Sequence, residues 1–157
     1  MKVIFLDIDG VLVTGDHLIA LKDAGQDSYD RSDDDRIFHH FNPDTIRELN
    51  RITNKTGARL VISSTWRFNG KDRIRALFKE RGIQGHITGM TDLQPSPKDS
   101  RGYEISDYLH RHRIETYIIL DDDSDMRPDQ MDRLVKCDFK TGLTTELADK
   151  ATTLLSA

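Results

Sequence analysis

The chain has 157 residues, and 23 Lys+Arg against 27 Asp+Glu leave a formal net charge of -4. That length suits a single domain able to bury roughly 68–70% of its unfolded surface, so folding requires no disulfide or metal staple. The mildly acidic balance argues against a dedicated nucleic-acid binder, no apolar run approaches the length of a membrane span, and a lone cysteine, Cys137, excludes an internal disulfide framework and fits a reducing, cytoplasmic setting.

The first element is Val3-Ile4-Phe5-Leu6, a short continuous apolar run that ends abruptly at Asp7. Such runs suit a strand buried on both faces, as in a parallel sheet. The opening residues turn acidic too soon to resemble a secretory leader. The next segment, residues 14–41, breaks the rhythm. It is polar and carries Asp33-Asp34-Asp35 and His39-His40, with Ile19-Ala20-Leu21 able to form one helical turn or a small flap. A loop of this length inside a compact domain is usually functional or mobile. The acids read as a solvated face, and adjacent histidines share a face poorly, so no metal pair is assigned to them.

Asn42-Pro43 then looks like a helix cap followed by proline at the first helical position. Ile46, Leu49 and Ile52 recur at helical spacing up to Gly57. Leu60-Val61-Ile62 is the second strand, ending in Ser63-Ser64-Thr65. Ile74, Leu77 and Phe78 mark another helix, closed by Gly82, and His86-Ile87-Thr88 is a weaker strand. Ile105, Tyr108 and Leu109 mark a third helix, with Ser100 as its cap and the basic run His110 to Arg113 at its end, where positive charge complements the dipole. Tyr117-Ile118-Ile119-Leu120 ends in Asp121-Asp122-Asp123, and Leu134 to Cys137 is a further weak strand. Thr144 and Glu146 open a terminal helix with Leu147, Ala151, Leu154 and Leu155.

Strands alternating with helices predict a three-layer α/β, Rossmann-like fold on a mainly parallel five-stranded sheet. Ligands of such sheets bind beyond the carboxyl ends of the strands. Asp7 and Asp9, Ser63 and Ser64, and Asp121 and Asp122 all follow strands, so they converge on one edge. Two carboxylates about 4 Å apart repel by roughly 4 kcal/mol at an effective dielectric near 20. Several of them together call for a cation, and hard oxygen donors suit Mg²⁺. Asp7 and Asp9, separated by one residue and followed by Gly10, supply one carboxylate to attack and another to move protons.

In this order the motifs resemble those of the haloacid dehalogenase (HAD) superfamily of phosphohydrolases. Asp7-Ile8-Asp9-Gly10-Val11 is similar to the first motif, Leu60 to Ser64 to the second, Lys98 to the basic third and Ile118 to Asp125 to the acidic fourth. The runs Ser63-Ser64-Thr65-Trp66-Arg67 and Arg101-Gly102-Tyr103-Glu104-Ile105 resemble a subgroup of small domains associated with Swiss-army-knife RNA-repair proteins. The resemblance implies that Asp7 is the nucleophile and a Mg²⁺ ligand, that Asp9 is the acid/base and lends its carbonyl to the metal, and that Asp122, with Asp121 as competitor, completes the set. It implies that Ser64, with Ser63 as alternative, holds the phosphoryl group, and that Lys98, or Arg101 in its place, neutralises its charge. Thr65 and Arg67 join Ser63 and Arg101 as candidate substrate contacts, with a salt bridge as the alternative for Arg67, while Trp66 reads as a packing residue or a stacking platform. The expectation is one domain over residues 1–157 with 14–41 as a small cap. It is a Mg²⁺-dependent phosphomonoesterase, monomeric or a weak dimer, acting on a phosphate ester such as a nucleic-acid 3′-phosphate end. The alternatives are a phosphoprotein or small-metabolite phosphatase and a non-catalytic phospho-acceptor.

Overall fold

A computed structural model describes residues 1–26, 40–93 and 100–157. Lys98, Asp33-Asp34-Asp35 and His39 lie outside them. Five strands, β1 (Lys2–Leu6), β2 (Arg59–Ile62), β3 (Ile87–Met90), β4 (Thr116–Asp121) and β5 (Leu134–Lys136), form one sheet in the order β3-β2-β1-β4-β5. Every pairing is parallel. The helices are α1 (Gly15–Asp23), α2 (Pro43–Thr56), α3 (Lys71–Glu80), α4 (Ser100–Arg111) and α5 (Thr145–Ser156).

Alternation along the strands builds two cores. On β1, Ile4 and Leu6 join Leu49, Ile52, Ile74, Phe78, Ala151 and Leu155 on one face, so α2, α3 and α5 cover that side. Val3 and Phe5 face the other way and pack with Ile105 and Tyr108 of α4. Central strands buried on both faces have no polar position to spare, which is why they read as unbroken apolar runs. Cys137 lies in the first core, 3% exposed, and burial pushes its thiol up to about 12. It is an inert packing residue.

The helix boundaries follow local chemistry. Asn42 caps α2 by accepting from the Asp44 amide, Pro43 stands in its first turn, and Gly57 ends it in the left-handed region at φ 68°. Thr144 caps α5 by accepting from the Leu147 amide. At the end of α4, His110 and His112 bond the carbonyls of Ser106 and Tyr108, and Arg111 pairs with Asp92. Three of the four residues of the basic run thus bond their own helix or a neighbouring loop. One element exceeds expectation: in place of a single turn, α1 runs nine residues from a Thr14 cap that accepts from the His17 amide. It buries no residue, so no apolar stripe announces it in the sequence.

The chain lays down β1, β2 and β3 in one direction and then crosses back to place β4 on the other flank of β1. The strand order therefore reverses between β1 and β4, the position at which such sheets bind their ligands.

Candidate functional site

Leu6 and Leu120 are register partners, so Asp7 and Asp121 leave the sheet side by side, with the Asp7 amide donating to the Leu120 carbonyl at 2.9 Å. One residue further, Asp122 completes a cluster: one carboxylate oxygen from each of Asp7, Asp121 and Asp122 lies within 4.8 Å of the others. Asp7 and Asp121 are buried, 7% and 1% exposed. Gly10 makes room for the third acid. Its φ is 74°, and a Cβ built there would collide with the Asp122 carboxylate. The glycine is therefore required twice, by its backbone and by the space above it.

Burial raises the proton affinity of these acids. It pushes Asp121 up to about 7, opposed by the nearby Arg101 guanidinium. Asp7 is also raised by burial, against the opposing pull of Arg101 and a hydrogen bond from Ser64. Asp122 shifts upward for the same first reason. Oδ2 of Asp121 is buried without a hydrogen-bond partner among the described residues. That oxygen has an ion-pair partner but no hydrogen bond, and with Asp7 and Asp122 it offers three hard carboxylate donors, a set that fits Mg²⁺.

Arg101, in the first turn of α4, is the cation present. Its Nη1 lies 3.5 Å from Asp7 Oδ1 and its Nε 3.7 Å from Asp121 Oδ2. The start of α4 is fastened to the loop after β4. The Gly102 amide donates to the Asp125 carbonyl at 3.1 Å, and Gln130 Nε2 donates to the Gly102 carbonyl at 2.9 Å. A Cβ at position 102 would strike the Arg127 amide, so the glycine lets helix and loop meet.

At the end of β2, the two serines part company. The Ser64 hydroxyl reaches Asp7 and also accepts from the Trp66 amide at 3.3 Å, capping the short 3₁₀ helix Thr65–Asn69. Ser63 Oγ is buried with no hydrogen-bond partner among the described residues, and Thr65 is exposed. Arg67 turns inward. Its Nη1 donates to the carbonyls of Ser63 and Ser64 at 2.7 and 3.1 Å, and its Nη2 meets Glu104 at 2.9 Å. Both side chains of this pair are under a tenth exposed. Thr91, just after β3, donates to the other Glu104 oxygen at 3.4 Å.

Asp9 stands apart from the other acids. It is exposed, and its Oδ2 accepts from Trp66 Nε1 at 2.8 Å. The indole packs edge-on against Phe41, with centroids 5.5 Å apart. A cavity of about 1080 Å³ bordered by His17, Arg47, Arg51 and Gln84 opens between α1, α2 and α3; it touches none of the acids.

The fold thus brings together Asp7, Asp121, Asp122, Ser64 and Arg101, with Asp9 at the rim. It holds Arg67 in an ion pair with Glu104 beneath the two serines. Glu104 and the Trp66–Asp9 bond are the participants that sequence reasoning missed. The Arg67 and Glu104 runs were both visible, but nothing in their spacing tied one to the other.

A family model described as the HAD domain in Swiss Army Knife RNA repair proteins matches residues 3–148. The chain belongs to this family. Membership carries hydrolase chemistry of the phosphatase kind in an RNA-repair context, and HAD domains generally use Mg²⁺. No curated protein and no solved structure matches the chain. The five parallel strands and flanking helices are those of a HAD domain. None of its described helices is long and apolar enough to cross a membrane.

Proposed function

We propose that this HAD domain is a Mg²⁺-dependent phosphomonoesterase working through an aspartyl-phosphate on Asp7. The observation that carries this reading is the meeting of Asp7, Asp121 and Asp122 within 4.8 Å, beside Arg101 and the Ser64 hydroxyl. Asp7, Asp121 and Asp122 would hold the metal, with the Asp9 carbonyl as a further ligand. The metal, when bound, would neutralise phosphate charge and keep Asp7 ionised.

The residues divide the work. Asp7 attacks phosphorus, and the bond to the ester oxygen breaks. Asp9 gives that leaving oxygen a proton, then takes one from the water that releases Asp7. Ser64 donates to a phosphoryl oxygen. Arg101 supplies the fixed positive charge toward the three equatorial oxygens, in place of or beside Lys98. The Arg101 charge is directed at the two site acids, while Glu104 on the same helix pairs with Arg67.

For the substrate, we infer a nucleic-acid end carrying a 3′-phosphate. The RNA-repair family supports it. The test compares a 3′-phosphorylated oligonucleotide with a 3′-mononucleotide and phosphotyrosine under Mg²⁺. Preference for the oligonucleotide in kcat/KM is expected; equal or better hydrolysis of the small esters removes the nucleic-acid assignment and leaves the phosphatase.

A further inference from the structure

The contact between Trp66 and Asp9 joins the indole N–H, on a ring that also packs against the core, to a carboxyl 57 positions away. We propose that Trp66 is a positioning residue, whose indole N–H fixes the rotation of the Asp9 carboxyl so that Oδ1 alone faces the reacting phosphate. The proposal rests on the acid/base role given to Asp9 above.

A side-chain carboxyl turns readily about its last bond, and its two oxygens are equivalent until something distinguishes them. The indole N–H is a donor only. An oxygen that accepts from it, here Oδ2 at 2.8 Å, is committed as an acceptor. The other oxygen is then the one left to carry and deliver a proton. Proton delivery requires a donor within hydrogen-bond reach in a defined direction, so fixing the rotation removes an orientation that would not react.

Trp66 is well placed for this task because both its backbone and its ring are held. Its backbone amide donates to Ser64 Oγ at 3.3 Å, and Ser64 also bonds Asp7. One short 3₁₀ turn therefore takes its bearings from both acids of the first motif. On its flank the ring meets the edge of Phe41, with planes at 85°. Phe41 is in turn 3% exposed, packs against Phe78 and bridges to Val13, four residues after Asp9. Ring, turn and acid form one closed circuit.

The consequence appears in the first chemical step. The Asp7 oxygen forms its bond to phosphorus while the bond from phosphorus to the ester oxygen breaks. The electron pair leaves with that oxygen, which takes the proton from Asp9 Oδ1. A good leaving group departs as its anion and needs little of this help; an alkoxide needs much. Loss of the indole donor should therefore weigh on poor leaving groups selectively, which loss of packing would not do.

The test uses Trp66→Phe, which keeps a ring against Phe41 and removes the N–H. Under Mg²⁺, kcat/KM, which reports the phosphoryl transfer to Asp7 and not the later release by water, should fall about tenfold or more for an alkyl phosphate and stay within about threefold for p-nitrophenyl phosphate. Equal losses on both esters, or no loss on either, overturn the proposal. A second arm needs no activity. The chain has one Trp, so a ¹⁵N-labelled sample gives one indole N–H signal. In metal-free protein, Asp9→Ala should move that signal and speed its exchange with water, and Asp9→Asn, which retains an oxygen acceptor, should move it less. An indole signal indifferent to Asp9→Ala overturns the proposal even if Trp66→Phe fails to fold. Wild-type protein that hydrolyses neither ester would instead sink the phosphatase reading, while the indole signal still reports the contact.

Discussion

Arg101 bridges Asp7 and Asp121, at 3.5 and 3.7 Å, from the first turn of a helix that follows β3 rather than from either acid's own strand. A guanidinium so placed offsets part of the repulsion between two buried carboxylates, and its buried Nη1 has no hydrogen-bond partner among the described residues. Arg101→Ala should lower kcat/KM by about 10²–10³, the loss seen when one fixed transition-state donor is removed. Lys98→Ala should cost less. Steady-state kinetics on the two variants decide which residue serves as the basic motif; the reverse ranking assigns the role to Lys98.

Stability should vary with pH in a direction set by Asp121. Burial raises its carboxyl to about 7, so the folded protein holds that proton across a range where the unfolded chain has released it. Between about pH 4 and 7 the native state binds more protons, and metal-free stability must fall as pH rises. Asp7 is shifted in the same sense. The Tm of metal-free protein should therefore drop from about pH 5 to 7, Mg²⁺ should restore more of it at the upper end, and Asp121→Asn should flatten the metal-free slope. Thermal melts with and without Mg²⁺ at each pH make the measurement.

Gly10→Ala carries two penalties. The backbone at φ 74° disfavours any L side chain, and the new methyl would press on Asp122. The strain alone should cost about 1–2 kcal/mol. Metal affinity should weaken as well, because the displaced carboxylate belongs to the acid cluster. Calorimetric titration with Mg²⁺ separates the two effects; a variant destabilised with unchanged affinity would show that Asp122 contributes nothing to the ion.

Arg67 and Glu104 should behave as a pair. Removing either charge leaves its partner buried and alone, at a cost of about 3–5 kcal/mol. Arg67→Met with Glu104→Leu together should recover most of that loss, since an apolar pair of similar volume needs no charge compensation. Denaturant unfolding of both single variants and the double closes the cycle. Additive losses would mean that the 2.9 Å contact contributes no coupling.

Much of the fold is legible in the sequence because parallel strands buried on both faces leave an unmistakable mark. Val3 to Leu6, Leu60 to Ile62 and Tyr117 to Leu120 each stop at the residues that reach the site. Even the weak strand at Ile87 was readable, though it continues to Met90, where Gly89 interrupts the apolar pattern and admits the Tyr108 ring. Only one turn of α1 is legible because the helix lies on the surface, with Ile19 57% exposed. Within the site, strand ends could be read one at a time, but pairings across them could not. Arg67 reads from the sequence as either a substrate contact or half of a salt bridge, and the partner that makes the bridge, Glu104, lies 37 residues later. Trp66 looked like packing or a stacking surface, and its bond to Asp9 depends on how a 3₁₀ turn aims the ring.

The most direct test of the acidic cluster as a phosphoryl-transfer site is the turnover of p-nitrophenyl phosphate by Asp7→Asn under saturating Mg²⁺, beside the wild type. Removing the nucleophile with the fold intact should lower kcat by several orders of magnitude. A variant that keeps more than about a tenth of the wild-type rate, a barrier change under about 1.4 kcal/mol, would contradict a covalent role for Asp7.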